Sequence, residues 1–256
     1  MKILVVGDIV GKPGREAVRE LVPQLRRQYQ LDMVIANCEN AAGGVGITQA
    51  TAENILDAEV DVLTTGNHVW RRKDVLPYLD SGAPIIRPLN YPQGVPGRGY
   101  IIASQVMVVN LVGRTFMQSY DCPFRAIDGL LENLSKRPKI VIVDMHAEAT
   151  SEKVAIGWHL NGRVTAVVGT HTHVGTVDAR VLPKGTAYVT DIGMVGPTDS
   201  VIGADKEAVL SSFLTQMPFS LSVGTGDTVF NSVLIEIDET TGRAISINRV
   251  DKEIKQ

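Results

Sequence analysis

The chain of 256 residues carries only two cysteines, Cys38 and Cys122, and neither forms a CxxC pair. Two isolated thiols exclude a disulfide framework and read as partly buried side chains. Long apolar runs are missing too. The N-terminal stretch MKILVVGDIVG offers five apolar residues, 3–7, before Asp8 interrupts it. A secretory leader needs a longer apolar segment with a small-residue cleavage site, and a membrane span needs about 20 apolar residues. The expectation is therefore a cytoplasmic protein. No basic tail or Lys/Arg block is present, the formal net charge is -3, and charges are spread along the chain. A broad nucleic-acid footprint is excluded, while binding of a nucleotide one phosphate at a time stays open. There is no low-complexity linker and no repeat of fixed period. One domain over residues 1–256 is expected, with 91–125 as the candidate cap or insertion.

What the chain does contain is a recurring unit of a short β-branched apolar run, a polar turn and a helix-like segment. Residues 3–7 lead to Asp8 and a helix expected over 14–29; residues 32–36 lead to Asn37-Cys-Glu-Asn40 and a glycine-rich turn. Thr48 then reads as the N-cap of a helix to about residue 58. Residues 60–64, 139–143 and 164–168 are further runs, ending near His68, His146 and His171. Continuous rather than alternating apolar runs predict strands covered on both faces, and their alternation with helices predicts a parallel or mixed sheet. Residues 99–103, 105–111, 185–190 and 228–237 read as strands of a second sheet. The expected fold is α/β, a four-layer α-β-β-α sandwich of two mixed sheets with helices outside.

Ligands of open α/β sheets bind beyond the carboxyl ends of strands. Here such ends carry Asp8, Glu39, Asn40, Asn67, His68, His146, His171 and His173, and these include four of the five histidines in the chain. Taken singly, each has a plain structural reading. Asp8 is a turn or capping residue, Glu39 and Asn40 solvate a loop, Gly66-Asn67-His68 makes a turn, and His146 is a hydrogen-bonded core side chain. His171 and His173, on alternate strand positions, would share a face. Together they form an oxygen and imidazole set suited to Mn²⁺, Fe or Zn²⁺ at strand ends. Gly43, Gly44 and Gly46 would let backbone approach the site, and Tyr91 and Arg125 are candidates to line its cleft. Asp178 and Asp191 are candidate acceptors for the histidines, whereas His159 reads as a surface or packing residue.

The ordered motifs GDIVGKPGR, NCENAAGG, TGNHVW, DMHAEATSEK and VVGTHTHV resemble the calcineurin-like metallophosphoesterases, over about residues 1–200. Within that superfamily they are similar to a bacterial, cytoplasmic branch of 2′,3′-cyclic-nucleotide 2′-phosphodiesterases. The resemblance implies a metal-dependent hydrolase in which a hydroxide bridging two metal ions attacks a cyclic nucleotide, 2′,3′-cyclic first and 3′,5′-cyclic second. It implies one metal held by Asp8, Glu39, Asn40 and His173, a second held by Glu39, Asn67, His146 and His171, and His68 as the catalytic group. It also implies self-association into a homo-oligomer, although no residue pattern locates an interface. Two departures stand out. Asp8-Ile9-Val10 lacks the usual histidine two residues after the Asp, and Glu39 replaces the usual bridging Asp. With one imidazole fewer and an amide oxygen more, the first metal's set is harder, which favours Mn or Fe over Zn.

Other readings weaken on spacing. Gly7 to Lys12 falls one residue short of a P-loop, and Pro13 stands where a Ser or Thr should hold Mg²⁺. A metal-dependent amidohydrolase places its His-x-His pair after the first strand, whereas here His171 and His173 come last. A non-catalytic or weakly active protein that uses the metal site for regulation or nucleotide sensing is the alternative in a different class, since ligands alone do not establish turnover.

Overall fold

The computed structural model describes residues 1–255 apart from Phe219 and Leu221, so the end of the expected domain at Gln256 lies outside the described residues. The first third of the chain forms β1 (Lys2–Ile9), α1 (Gly11–Tyr29), β2 (Met33–Asn37), α2 (Gln49–Leu56), β3 (Val62–Thr64) and a short α3 (Leu76–Leu79). Then come β4 (Tyr100–Ala103), β5 (Val106–Val112), α4 (Pro123–Asn133), β6 (Ile140–His146), α5 (Thr150–Leu160) and β7 (Ala166–Thr170). The remainder holds β8 (Arg180–Val181), β9 (Ala187–Val189), β10 (Met194–Ala204), α6 (Lys206–Thr215), β11 (Val223–Phe230), β12 (Ser232–Asp238), β13 (Arg243–Arg249) and β14 (Lys252–Ile254). Among the described residues no helix is long and apolar enough to cross a membrane.

The strands make two mixed sheets. In the first, β1, β2 and β3 run parallel, and the other edge of β1 is shared: Lys2–Val6 pair antiparallel with β12, and Asp8 and Ile9 pair parallel with β10. The second sheet runs β4-β5-β6-β7-β9-β8, parallel from β5 to β9 and antiparallel at both margins. Every residue of β5, β6 and β7 is buried, which is why 106–109, 140–143 and 166–168 are continuously apolar. Alternate residues of β1 face opposite ways. Ile3 and Val5 pack with Val108, Ile142 and Val168 of the second sheet. Leu4 and Val6 pack with Val18 and Val22 of α1 and Ile55 of α2. The other face of the second sheet, through Val109, Val143 and Val167, packs on Ile127 of α4 and on Ile156 and Leu160 of α5.

Local expectations hold with shifted boundaries. Thr48 caps α2: its hydroxyl accepts from the Thr51 amide at 3.2 Å, and Thr51 Oγ1 accepts from the Thr48 amide at 2.9 Å. Such a cap is worth about 1 kcal/mol. Helix α1 starts at Gly11, three residues before the expected 14, since a proline in the first turn costs no helical hydrogen bond. The expected strand 228–237 is two strands divided at Asn231, and both belong to the first sheet rather than the second. The chain there leaves the β10 partner and joins β1, and Asn231 bonds to both, donating to Met194 O and accepting from the Gly7 amide. Within 91–125 lie β4 and β5, both in the second sheet.

Candidate metal centre

Parallel register brings the proposed ligands to one end of the molecule. Asp8 stands beside Asn37, and Asn37 beside Thr64, across β1, β2 and β3. His146 stands beside Thr170 across β6 and β7. Beneath the site the two sheets are tied by a buried polar network, in which Asn37 Nδ2 donates to Asp144 Oδ2 at 3.1 Å and the hydroxyls of Thr64 and Thr170 also donate to Asp144. None of this is readable from local pattern, because Asn37 and Asp144 are separated by 107 residues.

His146 Nε2 is the hub of the cluster. It lies 3.0 Å from Glu39 Oε1, 3.1 Å from Asn67 Oδ1 and 3.0 Å from His171 Nδ1. Glu39, His146 and His171 thus offer ligand atoms all within 4.8 Å of one another. The second nitrogen of each of three imidazoles is held by an acceptor. His146 Nδ1 lies 2.9 Å from Thr170 Oγ1, which donates its own proton to Asp144 Oδ1. His171 Nε2 lies 3.1 Å from Glu148 Oε2, and His173 Nδ1 lies 2.7 Å from the Ile202 carbonyl. A carbonyl or carboxylate only accepts, so on His171 and His173 the proton sits on the outer nitrogen and the lone pair of the inner one faces the cluster. Glu148 and Ile202 had no signal in the sequence.

The second half of the cluster is built around Asp8, which is fully buried. Its Oδ2 accepts from the His171 amide at 3.1 Å, while Oδ1 lies 3.8 Å from His173 Nε2 and has no hydrogen-bond partner. Burial pushes its pKa up to about 6, against the pull of His173 and His146. A buried carboxylate with an orphaned oxygen, facing lone-pair nitrogens, is an arrangement that a cation completes. For Glu39, burial alone would raise the pKa, but the imidazole of His146 holds it well below the usual carboxylate range and the His146 pKa is raised in turn. Burial and the neighbouring His146 lower the His171 pKa to about 3, which keeps that ring neutral, the form in which an imidazole can ligate a metal. Asn40 also reaches the cluster. In this structure its amide nitrogen points inward, 3.1 Å from His173 Nε2, and its Oδ1 lies 2.8 Å from His68 Nδ1. A half-turn of that amide would bring its oxygen to the cluster.

Three expectations need correction. His171 and His173 are not on alternate strand positions, because β7 ends at Thr170 and both follow it with φ of 101° and 65°. Such left-handed backbone costs roughly 1–3 kcal/mol per residue and persists where surrounding bonds over-determine it. Asp191 does that here, accepting from the amide and hydroxyl of Thr172, from the Gly193 amide and from the fully buried Lys153. Asp191 and Asp178 therefore hold the loop rather than the histidine rings; Asp178 bonds to Thr176 and Thr190. Nor do Tyr91 and Arg125 line the cleft. Tyr91 stacks edge-to-face on Trp70 and Tyr120, and Arg125 is exposed on α4. His159 pairs with Asp128 at 2.8 Å, away from the cluster.

The cluster opens into a cavity of about 490 Å³ lined by Glu39, Asn40, His68, His171 and His173 on one side. Gly44 and Val45 contribute its rim, where Gly43, Gly44 and Gly46 all have positive φ. Gly66 is required for another reason: a Cβ there would overlap Glu39 Oε2 and the His146 ring. The chain is 45% identical over 254 residues to the 2′,3′-cyclic-nucleotide 2′-phosphodiesterase of Bacillus subtilis (strain 168), covering 98% of this chain and 96% of that protein. The crystal structure of a hypothetical protein from Thermus thermophilus superposes with a TM-score of 0.93 at 42% identity, covering 99% of this chain and all of the other. That of a novel phosphatase from Mycoplasma pneumoniae gives 0.93 at 33% identity, covering 100% of this chain and 94% of the other. Residues 4–250 match the family described as YmdB-like protein, and the chain belongs to that family.

Proposed function

We propose that this chain is a metal-dependent phosphodiesterase that opens 2′,3′-cyclic nucleotides at a two-metal centre. One cation would be held by Asp8, Glu39, Asn40 and His173, the other by Glu39, Asn67, His146 and His171. The observation that carries the reading is the convergence of Glu39 Oε1, Asn67 Oδ1 and His171 Nδ1 on His146 Nε2, at 3.0 to 3.1 Å, beside a cavity. The name of the Bacillus subtilis relative supports the substrate class. Bound divalent ions would polarise the phosphate oxygens and make water nucleophilic near neutral pH. Mn or Fe suits the donor set better than Zn, because the Asp8 side has a single imidazole.

Hydrolysis adds water to phosphorus, breaks the P–O2′ bond and leaves a proton on O2′. His68 is suited to supply that proton. Its Nε2 has no bonding partner among the described residues, and its ring lines the cavity. Burial lowers its pKa, so the protonated ring is a stronger acid toward an alkoxide than a free imidazole. We read the architecture as one domain, a four-layer α-β-β-α sandwich, because the three apolar clusters alternate helix, sheet, sheet and helix. We read the protein as cytoplasmic and self-associating on the same family grounds.

The test is metal analysis combined with a substrate panel: 2′,3′- and 3′,5′-cyclic nucleotides, a chromogenic phosphodiester and a phosphomonoester, each with Mn²⁺. The expected result is about two metal ions per chain and release of nucleoside 3′-phosphate. His68→Ala should lower turnover by about 10²–10⁴-fold with metal content kept. Metal-loaded protein that cleaves no diester would remove the reading, and loss of metal from His68→Ala would remove the role given to that residue.

A further inference from the structure

The cavity beside the cluster has two chemically different ends. Beside the proposed metal ligands its wall is made by β10 and α6, through Val201, Ile202, Val209 and Phe213, together with Val10. Among the described residues no Lys or Arg lines it. A second phosphate would therefore meet no side-chain cation there. Two of the wall residues are unusual. Phe213 is 80% exposed, and Ile202 is 53% exposed with φ of 47°. Left-handed backbone at a β-branched residue is an outlier that the surroundings must hold. Here the Ile202 carbonyl, in that conformation, accepts the proton of His173 Nδ1 at 2.7 Å, so one strained residue orients a proposed ligand and presents an aliphatic side chain to the cavity.

Building on the cyclic-nucleotide reading above, we propose that this apolar wall receives the nucleobase, with Phe213 as its stacking face and Ile202 beside it. A base is flat and apolar on its faces, and stacking on an aromatic side chain tolerates any base because each has a π-face. Directional partners for base edges are few at this end, chiefly the hydroxyls of Ser212 and Ser222. The wall thus distinguishes nucleotides from base-free phosphates, and purine from pyrimidine only weakly.

The experiment measures equilibrium binding to the full-length, Mn-loaded protein. The probes are adenosine 3′-monophosphate, uridine 3′-monophosphate and the base-free ribose 5-phosphate, applied to wild type, Phe213→Ala, Phe213→Tyr and Leu214→Ala. Leu214 is exposed on the same helix and does not line the cavity. Phe213→Ala should weaken both nucleotides about tenfold, the 1.4 kcal/mol of one stacked base. The same variant should leave ribose 5-phosphate within about twofold, Phe213→Tyr should restore nucleotide affinity, and Leu214→Ala should match wild type. An equal loss for the base-free phosphate, no loss at all, or a loss as large in Leu214→Ala would overturn the assignment; the last would mark the helix as a self-association surface. Since binding is read on a product and not on turnover, wild-type protein that prefers nucleotides yet cleaves no diester would defeat the enzymatic reading and leave the base wall standing.

Discussion

Lys153 stands outside the proposed ligand set and supports the loop that carries His171 and His173. Its ammonium is fully buried, lies 2.6 Å from Asp191 Oδ2 and donates to the Thr170 carbonyl at 2.9 Å. Asp191 in turn holds Thr172, between the two loop histidines. Lys153→Met keeps the aliphatic stem but leaves the Asp191 carboxylate buried without a counter-charge. Breaking such a pair typically costs about 3–5 kcal/mol. Asp191 retains donors from Thr172 and Gly193, which favours the lower half of that range, while the Thr170 carbonyl, left with the Ala147 amide at 3.4 Å, adds at most about 1 kcal/mol. For a domain of this size the change corresponds to a fall in Tm of roughly 10 °C. Urea titrations followed by circular dichroism should show it, and the double variant Lys153→Met/Asp191→Asn should recover about 2 kcal/mol or more, because it removes both charges. Metal affinity should fall in the single variant as the His171–His173 loop loses its anchor. A loss below about 1 kcal/mol, or strictly additive single variants, would refute the argument that this pair holds the loop.

Three further outcomes follow from geometry. Gly66→Ala should strip metal while costing only about 1–3 kcal/mol of stability, since its Cβ would displace Glu39 and His146 rather than the core; elemental analysis of folded protein checks this. In chelator-treated protein Asp8, with a pKa raised from 3.8 to about 6, disfavours the fold once ionised. That penalty is absent below pH 3.8, grows through the interval to about 6 and amounts to about 3 kcal/mol above it, so the stability difference between wild type and Asp8→Asn should change by about that much between pH 4 and pH 7.5; a pH-independent difference would be the contrary result. Finally, Cys38 is fully buried, donates to the Thr64 carbonyl and has its thiol pKa pushed up by burial, whereas Cys122 is half-buried. A thiol reagent should titrate one group in native protein and two in denaturant.

The recurring units were legible because each is local. An apolar run covered on both faces must be continuous, as in β5, β6 and β7, and a Thr before a helix caps it whatever lies beyond, as Thr48 does. Strand β10 and helix α6 were not legible: β10 is continuously buried over its first four residues and mostly open after them, and α6 leaves most of its apolar side chains exposed. Neither the two-residue period of a strand nor the apolar stripe of a core helix is present. The single strand expected over 228–237 failed for a related reason, since alternation continues across Asn231 while the pairing partner changes. Among functional residues, Glu148, Asp144 and Ile202 were invisible as partners because each acts on a histidine through contact alone.

The amino-acid sequence alone determined which chemical groups stand at strand ends, because a ligand following an apolar run by one to four residues is carried to the sheet's edge by the strand itself. It could not determine which nitrogen of each histidine faces inward, which oxygen of Asp8 is left without a partner, or that the apolar wall comes from β10 and α6. Those depend on contacts between residues as far apart as Asp8 and His171, 163 positions along the chain. Distances of that kind exist only once the two sheets have packed.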